Sequence, residues 1–250
     1  MSARHIAGRG TGESLWLRSA WIRHMTCLRT DALLEGAGRL VVIAPHPDDE
    51  VLGCGGFMML AHAAGLDVLV VSVSDGEGCY PGDPSWTPER LRQARREELR
   101  AALGALGLRD AKTLMLGVRD GGIGESFARL SGDLAALLRP DDLVLTTWEN
   151  DGHPDHEACS QAVRSAVTTR ACRMLEYPVW GWHWANPSSP ELACVRAVRL
   201  DLPRRTCLSK RRAIACFTTQ TGECEPPIEA PVLPRRVRRR FERPFEVFFA

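Results

Sequence analysis

Apolar residues along this chain fall into two alternating patterns. Residues 40–44, 66–73, 112–116, 143–148, 172–177 and 195–202 are short apolar or β-branched runs, the signature of buried strands. Between them, apolar residues return at helical spacing. A helix is predicted from about residue 51 to 64, where Gly65 ends it, and others over 89–106, 127–138, from 156 into 167, and over 204–217. In the second of these, Leu91, Ala94, Leu99, Ala102, Leu103 and Leu106 share an inner side. Strands alternating with helices in this way predict a mostly parallel sheet covered on both faces. Two connections, 74–88 and 117–124, are rich in Gly, Pro or Asp, and the first is long for a mere link.

The ends read differently. Residues 1–38 form an N-terminal extension in which Ser14 is placed to cap a helix reaching Leu34, with Trp16, Trp21, Ile22 and Met25 on its apolar side. Residues 226–250 form a basic and aromatic tail. There Arg235, Arg236, Arg238, Arg239, Arg240 and Arg243 make a stripe expected to be solvated, or to meet a phosphorylated or membrane-linked substrate. The segment 39–225 is left as one α/β domain of Rossmann-like type.

Composition narrows the class. A formal net charge of +1 argues against wholesale nucleic-acid binding. The nine cysteines are odd in number and scattered without a Cys-x-x-Cys pair, which fits a reducing compartment better than a disulfide framework. No apolar run approaches the roughly 18 residues of a spanning helix, and residues 1–13 lack the apolar stretch of a signal peptide. The expectation is a cytoplasmic protein.

Chemistry concentrates at two strand ends. After the first strand comes Pro45-His46-Pro47-Asp48-Asp49-Glu50, and after the fourth comes His153-Pro154-Asp155-His156. Acids in a first helical turn are ordinary capping residues, so one such motif would mean little. Two, each delivering histidine and aspartate at the carboxyl end of a parallel strand, can converge where open α/β sheets bind ligands. Histidine and aspartate are also metal ligands.

These motifs resemble the signature of the PIG-L/LmbE-like family of metal-dependent N-acetylglucosaminyl deacetylases. Softer likenesses are Arg95-Arg96-Glu97-Glu98-Leu99, Leu116-Gly117-Val118-Arg119-Asp120-Gly121-Gly122, and the run from Lys210 to Gln220. The resemblance covers roughly residues 38–222. It implies that His46, Asp49 and His156 bind zinc and that Asp48 is the general base; two histidines and one aspartate are also the ligand set of non-haem Fe(II) oxygenases, and Fe2+ could occupy the same site. It implies further that His153 polarises or protonates at the reaction centre and that Asp155 orients a histidine. Asp120 has two readings, a sugar-hydroxyl contact or a simple turn residue.

Other features have plainer readings. Gly53-Cys54-Gly55-Gly56 suits close packing of helix on sheet, with Cys54 a small buried side chain. His5, His24 and His62 read as ordinary surface or helix residues, and Glu149 and Asp151 as loop acids that could assist. The Trp-rich segment 177–187 suits a sugar face, an acyl chain or the core, and its His183 could reach substrate. The function expected is hydrolysis of an acetyl group from a small N-acetyl sugar conjugate. The alternatives are an amidase acting on a non-sugar amide and a non-catalytic metal- or nucleotide-binding module.

Overall fold

The computed structural model describes residue 6 and residues 8–250. Its strands are β1 (Thr26–Cys27), β2 (Arg39–Ala44), β3 (Asp67–Ser74), β4 (Lys112–Val118), β5 (Asp142–Thr147), β6 (Arg173–Tyr177), β7 (Ala197–Asp201) and β8 (Phe245–Phe249). The helices are α1 (Glu13–Arg18), α2 (Ala20–Arg23), α3 (Thr30–Leu34), α4 (Asp49–Ala63), α5 (Pro88–Ala105), α6 (Phe127–Leu137) and α7 (Pro154–Arg170). Five more follow: α8 (Gly181–Trp184), α9 (Pro190–Ala193), α10 (Arg204–Ala215), α11 (Thr218–Thr221) and α12 (Arg235–Arg238).

All eight strands join one sheet in the order β1-β7-β8-β6-β5-β2-β3-β4. Every pairing is parallel except those of β8, which runs antiparallel to β6 and β7. Strand periodicity divides the core in two. Leu40 and Val42 of β2 join one apolar cluster, together with Val51 and Leu52 of α4 and Leu99 of α5. Val41 and Ile43 point the other way, into a cluster with Leu130 of α6 and Val163 of α7. Each side chain so buried contributes about 1.5–3 kcal/mol relative to exposure. The predicted α/β architecture is therefore present. The chain passes from β2 to β3 and β4 on one side and returns to β5 and β6 on the other. That reversal between β2 and β5 opens a crevice at their carboxyl ends.

Two expectations about the termini are corrected. The single helix expected from Ser14 to Leu34 is three short helices and a two-residue strand. Ser19 interrupts it: its backbone is extended, and its hydroxyl accepts from Ile22 N–H to start α2. Thr26 and Cys27 then pair with β7. The tail expected to be solvated enters the sheet, because β8 fills the gap between β7 and β6 and buries Val247, Phe248 and Phe249. Its arginine stripe splits accordingly. Arg235, Arg236 and Arg239 are exposed, whereas Arg243 is buried on Glu13 and over the Trp182 ring. Arg240 is buried beside His183. Among the described residues no helix is long and apolar enough to cross a membrane, and all nine cysteines are free thiols.

Candidate metal centre and its cavity

The first half of the site is built where β2 runs into α4. Asp48 is the N-cap of α4 and holds φ 146°, ψ −31°, a conformation that costs a non-glycine residue on the order of 1–3 kcal/mol. The Asp48 N–H donates to Glu50 Oε2 (3.2 Å), and Asp49 Oδ2 accepts from His46 N–H (3.1 Å), so the turn is closed by its own acids. Burial and the neighbouring Asp48 push the Glu50 carboxyl up to about 8, which keeps it neutral. Four residues on, α4 breaks: Cys54 has φ −140°, ψ 19°. The glycines beside it allow close approach, since a Cβ at Gly53 would lie 1.9 Å from the Tyr177 ring. Cys54 is buried and its thiol donates to Glu50 O, as a packing residue should.

The second half lies where β5 runs into α7. His153 is the N-cap, and its Nδ1 accepts from the Asp155 N–H (3.2 Å). An Nδ1 that accepts leaves the ring proton on Nε2. Burial and the neighbouring His156 and His46 push the His153 pKa down to about 3, so the ring is neutral. One turn into α7 is His156, almost wholly buried.

The two halves meet. His46 Nδ1 lies 3.2 Å from Asp49 Oδ2, and His156 Nε2 lies 3.3 Å from the same oxygen. One ligating atom from each of the three residues falls within 4.8 Å of the others. His156 Nε2 is buried with no hydrogen-bond partner. Two imidazole nitrogens and a carboxylate oxygen, one nitrogen left orphaned, fit a divalent metal ion.

Carboxylates hold both rings from behind. The Nε2 of His46 meets Asp120 Oδ1 (3.1 Å) and Asp155 Oδ2 (3.3 Å). Asp155 is itself fixed by the N–H groups of Gly121 and Ile123, and Asp120 Oδ2 by that of Gly78. His46 holds the carboxyls of Asp120 and Asp155 below the usual range, although burial opposes it. The geometry thus gives Asp155 two attachments. Its carboxylate reaches His46, and its backbone amide fixes His153.

Sequence reasoning left Asp151 as a loop acid that could assist at the site. It is fully buried, and its Oδ2 lies 2.8 Å from His156 Nδ1. Its oxygens also accept from the N–H groups of Val179, Trp180 and Gly181. A carboxylate behind a metal-binding imidazole fixes the tautomer that leaves the far nitrogen free to ligate. The only signal in the sequence was an acid five residues before His156, and the three backbone donors come from a segment nearly thirty residues away.

Above the cluster lies a cavity of about 420 Å³. The long connection 74–88 reaches it through Gly76, Gly78 and Cys79, and the Trp-rich segment 177–187 through Val179 and Trp180. Arg95, which carried no assigned role, is buried there with Nη1 3.4 Å from Asp48 Oδ2. Burial raises the Asp48 carboxyl to about 6, against the pull of Arg95. His183 is turned away onto Arg240, His24 and His62 are exposed, and His5 lies outside the described residues.

Known proteins are similar to this chain in sequence and in fold. Residues 41–167, just over half of the chain, match the family described as PIG-L, GlcNAc-PI de-N-acetylase. A probable N-acetyl-alpha-D-glucosaminyl L-malate deacetylase 2 of Bacillus subtilis is 33% identical over 135 residues, 51% of this chain and 60% of that protein. The 1D-myo-inositol 2-acetamido-2-deoxy-alpha-D-glucopyranoside deacetylase of a Mycobacterium species (strain JLS) is 33% identical over 192 residues, 66% of this chain and 60% of that protein. The chain therefore spans about 60% of the length of these curated relatives. Among solved structures, a conserved protein of Thermus thermophilus superposes with a TM-score of 0.56 at 27% identity, covering 80% of this chain and 84% of that one. With the family match spanning both histidine motifs and the fold shared, this chain belongs to the PIG-L family.

Proposed function

We propose that this chain is a zinc-dependent deacetylase that hydrolyses the N-acetyl group of a small N-acetylglucosaminyl conjugate in the cytoplasm. The observation that carries the reading is the convergence of His46 Nδ1, Asp49 Oδ2 and His156 Nε2, with the carboxylate of Asp48, paired with Arg95, in the same cavity. The names of the relatives, which describe deacetylases of glucosaminyl malate and of glucosaminyl inositol, support the substrate class. The free cysteines support a reducing compartment.

His46, Asp49 and His156 would hold the ion, which when bound supplies a Lewis acid and lowers the pKa of a bound water towards about 7. Asp48 cannot share the ion easily with its neighbour Asp49, so its carboxylate is left to take the proton from the attacking water. As the acetamide carbon becomes tetrahedral, its oxygen gains negative charge. The neutral His153 offers Nε2–H as a donor to that oxygen, already oriented by the Asp155 amide. The C–N bond then breaks, and Asp48 returns its proton to the leaving amine. Acetate and the free amino sugar result. Asp120 lines the cavity with lone pairs to spare for a sugar hydroxyl, while holding His46 in place.

Amine release from N-acetylglucosaminyl conjugates, measured on zinc-loaded and chelator-stripped protein, tests the reading. Turnover that disappears on stripping and returns with zinc is expected. Zinc-loaded protein that releases no amine across a panel of such conjugates would overturn it.

A further inference from the structure

A second cavity, of about 10 Å³, shares only Leu52 with the one above the metal-binding cluster. Three buried cations line it, Lys210, Arg240 and Arg243, with one acid, Glu246. Glu246 is fully engaged: Oε1 accepts from Lys210 Nζ and from Gly56 N–H, and Oε2 accepts from Phe57 N–H. Glu13 comes in from the N-terminal extension, but both its oxygens accept from Arg243, at Nε (2.7 Å) and Nη2 (2.6 Å). Glu13 is the first acid in the chain, so no carboxylate can come from the residues before it. Arg240 is left with neutral acceptors: His183 Nδ1 (2.9 Å), Thr11 O (2.9 Å) and Arg9 O (3.3 Å).

Three positive charges thus face two negative ones in a buried place, where an unpaired charge is costly. Burial and the neighbouring Arg243 push the Arg240 pKa down to about 10, as befits a cation without a counter-charge of its own. Two guanidinium nitrogens, Arg240 Nε and Arg243 Nη1, are also buried with no hydrogen-bond partner. One occupant would meet both needs. A cavity of this size has room for about one water-sized particle, which rules out phosphate and sulfate. We infer that it binds a single monatomic anion, chloride or another halide, held by Arg240 Nε–H and Arg243 Nη1–H and balancing the surplus charge. The ion would tie both ends of the chain to the domain, because Arg240 holds residues 9–11, Arg243 holds Glu13, and Lys210 and Glu246 brace the break in α4. It acts on stability, and no bond of the proposed hydrolysis involves it.

The test follows thermal unfolding of the full chain in sodium chloride and in sodium gluconate at equal ionic strength, gluconate being too large for the cavity. With a dissociation constant of about 10 mM, about 150 mM chloride should raise the midpoint by about 3–6 °C over gluconate. Arg240→Gln removes the guanidinium and the surplus charge, and should cut that rise to below about 1 °C. Should this variant not fold, diffraction from wild-type crystals equilibrated with about 150 mM sodium bromide decides, with an anomalous peak expected beside Arg240 Nε and Arg243 Nη1. A midpoint indifferent to the choice of anion would overturn the inference. So would a chloride-dependent rise that folded Arg240→Gln keeps in full, or a cavity that shows no bromide and leaves the two nitrogens to water.

Discussion

The two helix starts that supply the site are built on opposite plans. The α7 start is regular: His153 caps it with its own side chain, Pro154 occupies the first turn, and the helix runs unbroken for 17 residues. The α4 start has no side-chain cap, holds Asp48 at positive φ, and breaks at Cys54 within a 15-residue span. The break frees the N–H groups of Gly56 and Phe57, and both donate to Glu246 of β8, which also pairs with the buried Lys210 of α10. His153, proposed to polarise the carbonyl, is thus held by ordinary capping. Asp48, the proposed base, is held by local strain, supported from the far end of the chain. Strain persists only where the surroundings over-determine it, so α4 should be the more fragile of the two.

Substitutions can break this comparison, beginning with the residue under strain. Asp48→Asn should lower kcat by about 10²–10⁴-fold while zinc content by mass spectrometry stays at the wild-type level. Loss of zinc along with turnover would make Asp48 a ligand instead. Next in size, Glu246→Ala removes the partner of buried Lys210 and the acceptor of two α4 amides. Unfolding in denaturant should register a loss of about 3–5 kcal/mol, and a loss under about 1 kcal/mol, the scale of an exposed ion pair, would mean that α4 does not need β8. On the α7 side, His153→Ala should cost about 10²–10³-fold in kcat, the range for one oxyanion donor, with stability lowered by only about 1 kcal/mol for the lost N-cap. An unaltered kcat would show that another group polarises the carbonyl. The smallest effect belongs to Asp151→Asn, which keeps the shape behind His156 but not the charge. Zinc affinity measured by competition with a chelator should fall about 10–100-fold, and unchanged affinity would confine Asp151 to holding the segment after β6.

The same contrast explains what could be read before the fold was known. The motifs at His46 and His153 stood out because each follows an apolar run whose side chains alternate between two cores, and parallel strands place such ends along one edge. The choice of His46, Asp49 and His156 within them came from the family resemblance. Asp151 did not stand out, because its role depends on the backbone of Val179, Trp180 and Gly181, which only the fold brings to it. The role of Arg95 beside Asp48 was hidden for a related reason. At helical spacing among the charges of α5 it looks like a solvated residue, and its burial follows from the cavity. β8 was masked by the arginines before it, two of which are buried on Glu13 and His183. Local pattern reveals where the chain presents chemistry at a strand end. It says little about partners that arrive from distant segments.

The most direct test of the central claim is the zinc content of the purified chain set against His46→Ala, Asp49→Ala and His156→Ala, each checked for retained fold by circular dichroism. The account predicts about one ion per wild-type chain, the stoichiometry of a single three-residue catalytic centre, and its loss from all three folded variants. Folded variants that keep the ion as tightly as wild type would contradict it.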